Sequence, residues 1–262
     1  VGNSNFAIRM IWLIYDGSFE GLLTVVFETF EFKWKEVRIR KKGAFVPQLF
    51  AEEREVITDE KKAVRVWKKL VELLRPQGVK ILWKAWLSEM EAIEESILGV
   101  VNYAIALKRN VLADFGNLHV LNIQKIVKSV DREKHRMEAF VRFQLTKDGI
   151  YFSVINPDFN VLPLVLKHFE NRYADQRWFI FDTRRNYGIY YNLEKAEFTD
   201  FFPNELIASD LVSPTAFGGG EFLYQTLWKD YFQSTNIAAR KNTKLHVQHV
   251  PKRYWKYLVE KV

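Results

Sequence analysis

Apolar and polar positions along the chain follow three successive patterns, helical in the middle and strand-like toward both ends. The run "MIWLIY" is short and continuously apolar, which predicts a buried strand. After "DGS", Phe19, Leu22, Leu23, Val26, Phe27 and Phe30 recur at helical spacing, with Asp16 or Ser18 as N-cap. "KEVRIRKKGAF" and "EEREVIT" read as strands, so the chain opens β-α-β-β. Residues 59–131 read as helical. Asp59 and Glu60 suit the first turn, where the helix dipole favours anions. Ala63, Val66, Trp67, Leu70, Val71 and Leu74 form one apolar stripe opposite Lys61, Arg65 and Lys68. "RPQG" breaks that helix, and others follow at "VKILWKAWLSEM", "EAIEESILGVVNYAIALKR" and "NLHVLNIQKIVKSV".

Beyond Asp131 the period shortens. "EAFVRFQLTKDGIYFSVI" places Asp148-Gly149 between two strand-like runs, the signature of a hairpin. A two-residue loop there pairs Thr146 with Tyr151 and Arg142 with Ile155. Ala139, Val141, Phe143, Leu145, Phe152 and Val154 then share the core face, and Phe140, Arg142, Gln144, Tyr151 and Ser153 the other. A helix is expected at "VLPLVLKHFENRY", with strands at "RWFIFD", "GIYYNL" and "AEFTDF". A long loop over 203–220 ends in "GGG", and an amphipathic helix over 221–234 presents Leu223, Leu227, Trp228, Tyr231 and Phe232. The pattern predicts an α+β protein: a helical middle segment between an N-terminal β-α-β-β unit and a C-terminal antiparallel sheet with packed helices. Its segments are 1–58, with 1–9 a leader or natural extension, then 59–131 and 132–262, packed as one compact unit.

Composition narrows the function. The formal net charge is +7, which favours a polyanionic partner. The 262 residues contain no cysteine, so disulfides, thiolate-bound zinc, cysteine-held iron–sulfur clusters and cysteine nucleophiles are excluded. That fits a cytoplasmic protein. The apolar run Ile97 to Leu107 is too short to span a bilayer and contains Asn102, so it reads as a core helix and no membrane partner is expected. The first residues lack the basic n-region and long apolar core of a signal peptide. No Walker loop, dinucleotide fingerprint, nucleophile elbow or H-E-x-x-H helix occurs.

The densest chemistry lies in "NIAARKNTKLHVQHVPKRYWKYLVEK" near the C-terminus. Pro251 suits the first turn of a short helix whose Tyr254, Tyr257 and Leu258 share one side and Lys252 and Lys256 another. That helix can dock by its aromatic side while its lysines stay solvated. Alternatively Arg240, Lys244, Lys252 and Arg253 neutralise phosphates, with Trp255 stacking on an unpaired base. His246 and His249 are three apart, but a metal needs further ligands, and neither a metal nor a cofactor is expected. "DREKHRMEAFVRF" reads as a charged helix-to-strand junction. In it His135 or Glu133 is a candidate acid or base and Arg142 a phosphate contact. "FDTRRNYGIYY" sets Asp182, Arg184 and Arg185 at a strand end, where they hold a loop or face an anion. "LLRPQGVKILWKAW" is faintly like a phosphate-binding helix-hairpin-helix turn but lacks its glycine spacing; a plain interhelical turn is the simpler reading.

"YDGSFEGLL", "HRMEAFVRF", "WFIFDTRRNYGIYY" and, above all, "NIAARKNTKLHVQHVPKRYWKYL" resemble a bacterial family of DNA-repair or DNA-metabolism proteins that carries the domain of unknown function DUF4130. The resemblance runs from about Met10 to the C-terminus. It implies a companion radical S-adenosylmethionine protein. Some members are fused to a uracil-DNA-glycosylase-like domain, which this chain is expected to lack. It supplies no catalytic residue. Without cysteine the chain would be the companion rather than the radical enzyme.

The resulting expectation is a DNA-binding protein that acts in repair or modification beside a separate enzyme. Its expected contacts are Arg240, Lys244, Lys252, Arg253 and Trp255, seconded by Arg142, Arg184 and Arg185. The hairpin face with Phe140, Arg142 and Tyr151 is a candidate platform for bases. One alternative is a nucleic-acid- or nucleotide-processing enzyme using His135, His246 or His249. The other is an interaction scaffold docking an acidic protein.

Overall fold

The computed structural model describes residues 10–44, 52–200 and 250–258. The leader 1–9, the expected loop over 203–220 and the helix over 221–234 lie outside the described residues, as do Arg240, Lys244, His246 and His249. The chain divides into two compact units, residues 1–130 and 131–262. The strands of the N-terminal segment and most of the helices expected over 59–131 share the first.

In the first unit, β1 (Ile11–Tyr15) is flanked on both sides by parallel partners, β2 (Val37–Lys41) and β3 (Glu52–Glu55). Helix α1 (Phe19–Glu31) connects β1 to β2. Its N-cap is Ser18, whose Oγ accepts the Gly21 N–H at 2.9 Å. Asp16 does a different job. Its Oδ1 accepts the Ser18 N–H and hydroxyl at 2.8 and 2.7 Å, and its Oδ2 accepts the Thr58 hydroxyl at 2.8 Å. Burial pushes this carboxyl up, but the donors from Ser18 and Thr58 outweigh it and hold it below the usual range. The arrangement requires Gly21, because a Cβ there would lie 2.3 Å from Asp16 Oδ1.

Helix α2 (Glu60–Trp86) is capped by Asp59, whose Oδ1 accepts the N–H groups of Lys61 and Lys62. It breaks at Arg75 (φ 64°, ψ 166°), immediately before Pro76, and the Leu74 carbonyl accepts a hydrogen bond from Asn110 Nδ2 at 3.2 Å. "RPQG" is therefore an interhelical turn. Helices α3 (Ile93–Leu107) and α4 (Leu118–Phe140) follow. α3 also covers an exposed sheet edge: Glu95 Oε1 accepts the Ile39 N–H of β2 at 3.0 Å and Arg40 Nη1 at 2.9 Å. Leu13, Leu22, Val25, Ile39, Leu82 and Val100, all fully buried, lie in the one core that joins sheet and helices.

α4 changes the reading of the next segment. It continues through "DREKHRMEAF" to Phe140, so the expected helix-to-strand junction is helical except for its last three residues, Val141 to Phe143. The first hairpin strand shrinks to β4 (Gln144–Leu145), which pairs with β5 (Tyr151–Ile155) as Gln144 to Phe152 and Leu145 to Tyr151. The loop has three residues, not two. Thr146 N–H bonds to the Ile150 carbonyl at 2.9 Å, Gly149 N–H bonds back to Thr146 at 3.0 Å, and Gly149 takes the left-handed position (φ 71°). The register is thus one residue from the expected one.

β6 (Trp178–Asp182), β7 (Tyr187–Tyr191) and β8 (Ala196–Thr199) complete a sheet of order β4-β5-β6-β7-β8. Its pairs are antiparallel except β5 with β6, which helix α5 (Leu162–Arg172) connects. β5 lies between two neighbours and buries side chains on both faces, Phe152 on one, Ser153 and Ile155 on the other. The single core face expected from alternation is therefore not what the sheet uses. Phe152 packs with Phe179 and Phe181. Phe143 instead meets Phe169 and Tyr173 of the α5 region and Trp178.

Candidate functional site

The loop after β5, "NPDFN" (156–160), is a meeting point of charged side chains among the described residues of the second unit. Three sequence-distant stretches reach it. From α4 comes Glu133, only 1% exposed, with Arg136, Met137 and Phe140 on the same helical face. Glu133 Oε1 accepts the Asp158 N–H at 2.9 Å and the Tyr254 hydroxyl, and its Oε2 takes Arg253 Nη2 at 2.9 Å. Arg136 Nη1 stands 3.6 Å from the same oxygen.

From the C-terminal block comes the 3-10 turn Lys252–Tyr257, entered through Pro251. Tyr254 and Leu258 are each 2% exposed. The Tyr254 ring lies 5.8 Å from that of Phe140, and the Arg253 guanidinium 4.6 Å from the Tyr254 ring centre. Arg253 Nη2 also reaches Asp158 Oδ2 at 2.7 Å. Burial pushes the Tyr254 hydroxyl well above the ordinary tyrosine range, and its bond to Glu133 adds to the shift.

From the end of β6 come Asp182, Arg184 and Arg185. Asp182 is fully buried, and its Oδ2 meets Arg185 Nη1 at 2.8 Å. Arg184 Nη1 and Arg185 Nη2 donate to the Asp158 carbonyl at 2.9 and 3.2 Å, and Arg185 Nη1 to that of Pro157 at 3.2 Å. Tyr187 donates to Asn160 Oδ1. Burial raises the Asp182 carboxyl above the usual range, while Arg185 pulls it back.

This is a clasp. Each oxygen of Glu133 already accepts at least one donor, as do both of Asp182, so neither acid stands ready as a base. Among the described residues no group of His, Asp or Glu is arranged to hold a metal ion. His135 sits exposed on α4. Arg142 turns back on the end of α4, donating to the carbonyls of Ala139 and Val141 at 2.8 and 3.3 Å. With Phe140 helical and packed on Tyr254, the expected base platform of Phe140, Arg142 and Tyr151 is not formed. Arg184, Arg185 and Arg253 are brought together, but around loop carbonyls and carboxylates.

What stays open is the outer side of the C-terminal block. Lys252 and Lys256 are exposed, their ammonium groups 6.0 Å from the Trp255 ring centre and 4.8 Å from that of Tyr257. Trp255 Nε1 donates to the Val250 carbonyl at 3.0 Å, which fixes the indole. Sequence reasoning names Glu133 as a candidate acid or base but not as the hub it is. Val130, Glu133, Met137 and Val141 fall on one helical stripe, and an acid in an apolar stripe marks a buried, partnered carboxylate.

Fold and site together define an α+β protein whose basic C-terminal block is clasped to its own sheet-bearing unit. Residues 91–260 match the domain of unknown function DUF4130, and the chain belongs to that family. The matched range contains every residue of the clasp and leaves out β1 to β3, α1 and "YDGSFEGLL". No curated protein matches the chain. Among the described residues no helix is long and apolar enough to cross a membrane.

Proposed function

We propose that this protein binds DNA through its C-terminal block and works in repair or modification beside a separate enzyme. The family resemblance makes a radical S-adenosylmethionine protein the first partner to try. The observation that carries the reading is the two-sidedness of the block. Tyr254 and Leu258 are buried, while Lys252 and Lys256 remain exposed over aromatic rings. A docked, pre-ordered pair of cations costs little entropy to present to phosphates. The formal charge of +7 acts in the same direction. Arg240 and Lys244 extend the basic run toward the block, and Arg253 serves it by anchoring. Arg184 and Arg185 hold the loop that receives it.

The test is binding of fluorescent single-stranded and duplex DNA across a salt series. Lys252→Glu/Lys256→Glu should weaken binding and lower the duplex salt slope by about two, because each lost phosphate contact removes about 0.9 from it. An unchanged slope, or no binding at low salt, would end this reading. Capture of a protein partner that survives nuclease would then favour the scaffold.

A further inference from the structure

The C-terminal end of α1 carries a second aromatic and basic feature, in the other unit and outside the family match. The helix closes with two reversed bonds, Lys33 N–H to the Phe30 carbonyl at 3.4 Å and Trp34 N–H to the Thr29 carbonyl at 3.1 Å. Lys33 occupies the left-handed position (φ 56°) that such an ending usually gives to glycine. The reversal lays Phe32 against Trp34, ring centres 4.9 Å apart and planes 25° from parallel. Trp34 is rooted in the core, but Phe32 is 51% exposed and its neighbour Phe30 42%. Arg54 of β3 sets its guanidinium 5.3 Å from the Trp34 ring centre. Lys33 and Lys35, on either side of Trp34, are exposed and make no ion pair among the described residues. Of the nearby acids, Glu31 is engaged by Lys62 and Glu52 by Arg54, while Glu36 is exposed and makes no ion pair among the described residues.

An exposed ring anchored on a half-buried indole, edged by unpaired ammonium groups, fits a flat apolar ligand on an anionic backbone. Unpaired bases have that form, whereas a duplex hides its base faces. We propose that the Phe32–Trp34 stack is a base-stacking site for single-stranded nucleic acid. The site rests on the first unit's own geometry and does not require the C-terminal block to bind anything.

The full chain should be titrated with a short oligothymidylate and with an abasic oligomer of the same length, which keeps the phosphates and removes the bases. Oligothymidylate should bind about ten-fold tighter, within the range for one base stacked on one aromatic. Phe32→Ala should abolish that gap and Phe32→Tyr should keep it. The side chain is half exposed, so neither change threatens the fold. Equal binding of the two oligomers, a gap that persists in Phe32→Ala, or no binding of oligothymidylate overturns the proposal. The Lys252→Glu/Lys256→Glu variant separates the two readings. It should weaken both oligomers alike and leave the gap intact.

Discussion

Each unit buries a tyrosine against a glutamate, and the surroundings give the two pairs different work. In the first unit Tyr15, at the end of β1, donates to Glu94 Oε1 at 3.0 Å and accepts from Trp86 Nε1 at 3.3 Å. No cation makes a salt bridge to Glu94 among the described residues, and burial pushes its carboxyl above the ordinary range. In the second unit Tyr254 donates to Glu133, which also takes Arg253 and the Asp158 N–H. Charge and hydrogen bonds compensate that acid, so it can tie together three stretches of chain distant in sequence. The same two side chains make a titratable core contact in one place and a structural anchor in the other. Whether an arginine and a backbone donor are within reach decides which.

The largest effect expected from this contrast is at the anchor. Glu133→Ala leaves the buried Tyr254 hydroxyl and the Asp158 N–H without their acceptor, while Arg253 keeps Asp158, and should cost about 2–6 kcal/mol at about 1–3 for each orphaned donor. Amide exchange over residues 252–258 should accelerate with it. Exchange as slow as in the parent protein would mean that Glu133 does not hold the block. Next come the hydroxyls. Tyr254→Phe removes a bond to a charged group and should cost about 1.5–3 kcal/mol, read from denaturant midpoints. Tyr15→Phe should cost less, about 1 kcal/mol, and equal costs would erase the distinction between the pairs.

The smallest effect is a slope. Glu94 binds its proton more tightly folded than unfolded, so the folded state holds more protons just above the ordinary glutamate value of 4.5. That contribution is intact below this value and fades as pH rises through the folded pKa. Stability should therefore fall with rising pH over that window, and Glu94→Gln should flatten the fall. An identical profile in the variant would place the titration elsewhere.

Local chemistry was legible in the sequence. Ser18 caps α1 as one of the two residues read for that place, and Asp59, read only as an anion in the first turn, caps α2; a cap needs only the next three N–H groups. Asp182 and Arg185, three apart at a strand end, could be paired on spacing alone. The hairpin register was missed because Asp148-Gly149 serves a two- or a three-residue loop, and only the Thr146–Ile150 pairing separates them. The second half of α4 was missed because its charges hid the apolar stripe. The fate of Arg253 was out of reach, since Glu133 and Asp158 lie 120 and 95 positions away in sequence and no local pattern names them. Long-range neutralisation is set by topology, which one sequence does not display.

The carboxylate of Asp16 has a consequence for ligands. The carboxyl end of a central parallel strand, facing the start of a helix, is where many α/β proteins receive a phosphate. Here that place already holds an anion belonging to the chain, tethered two residues from the donors it occupies. A free anion would have to compete with a carboxylate at very high effective concentration. "YDGS" is thus a lock closed from inside: it spends the helix's affinity for negative charge on joining β1, α1 and Thr58.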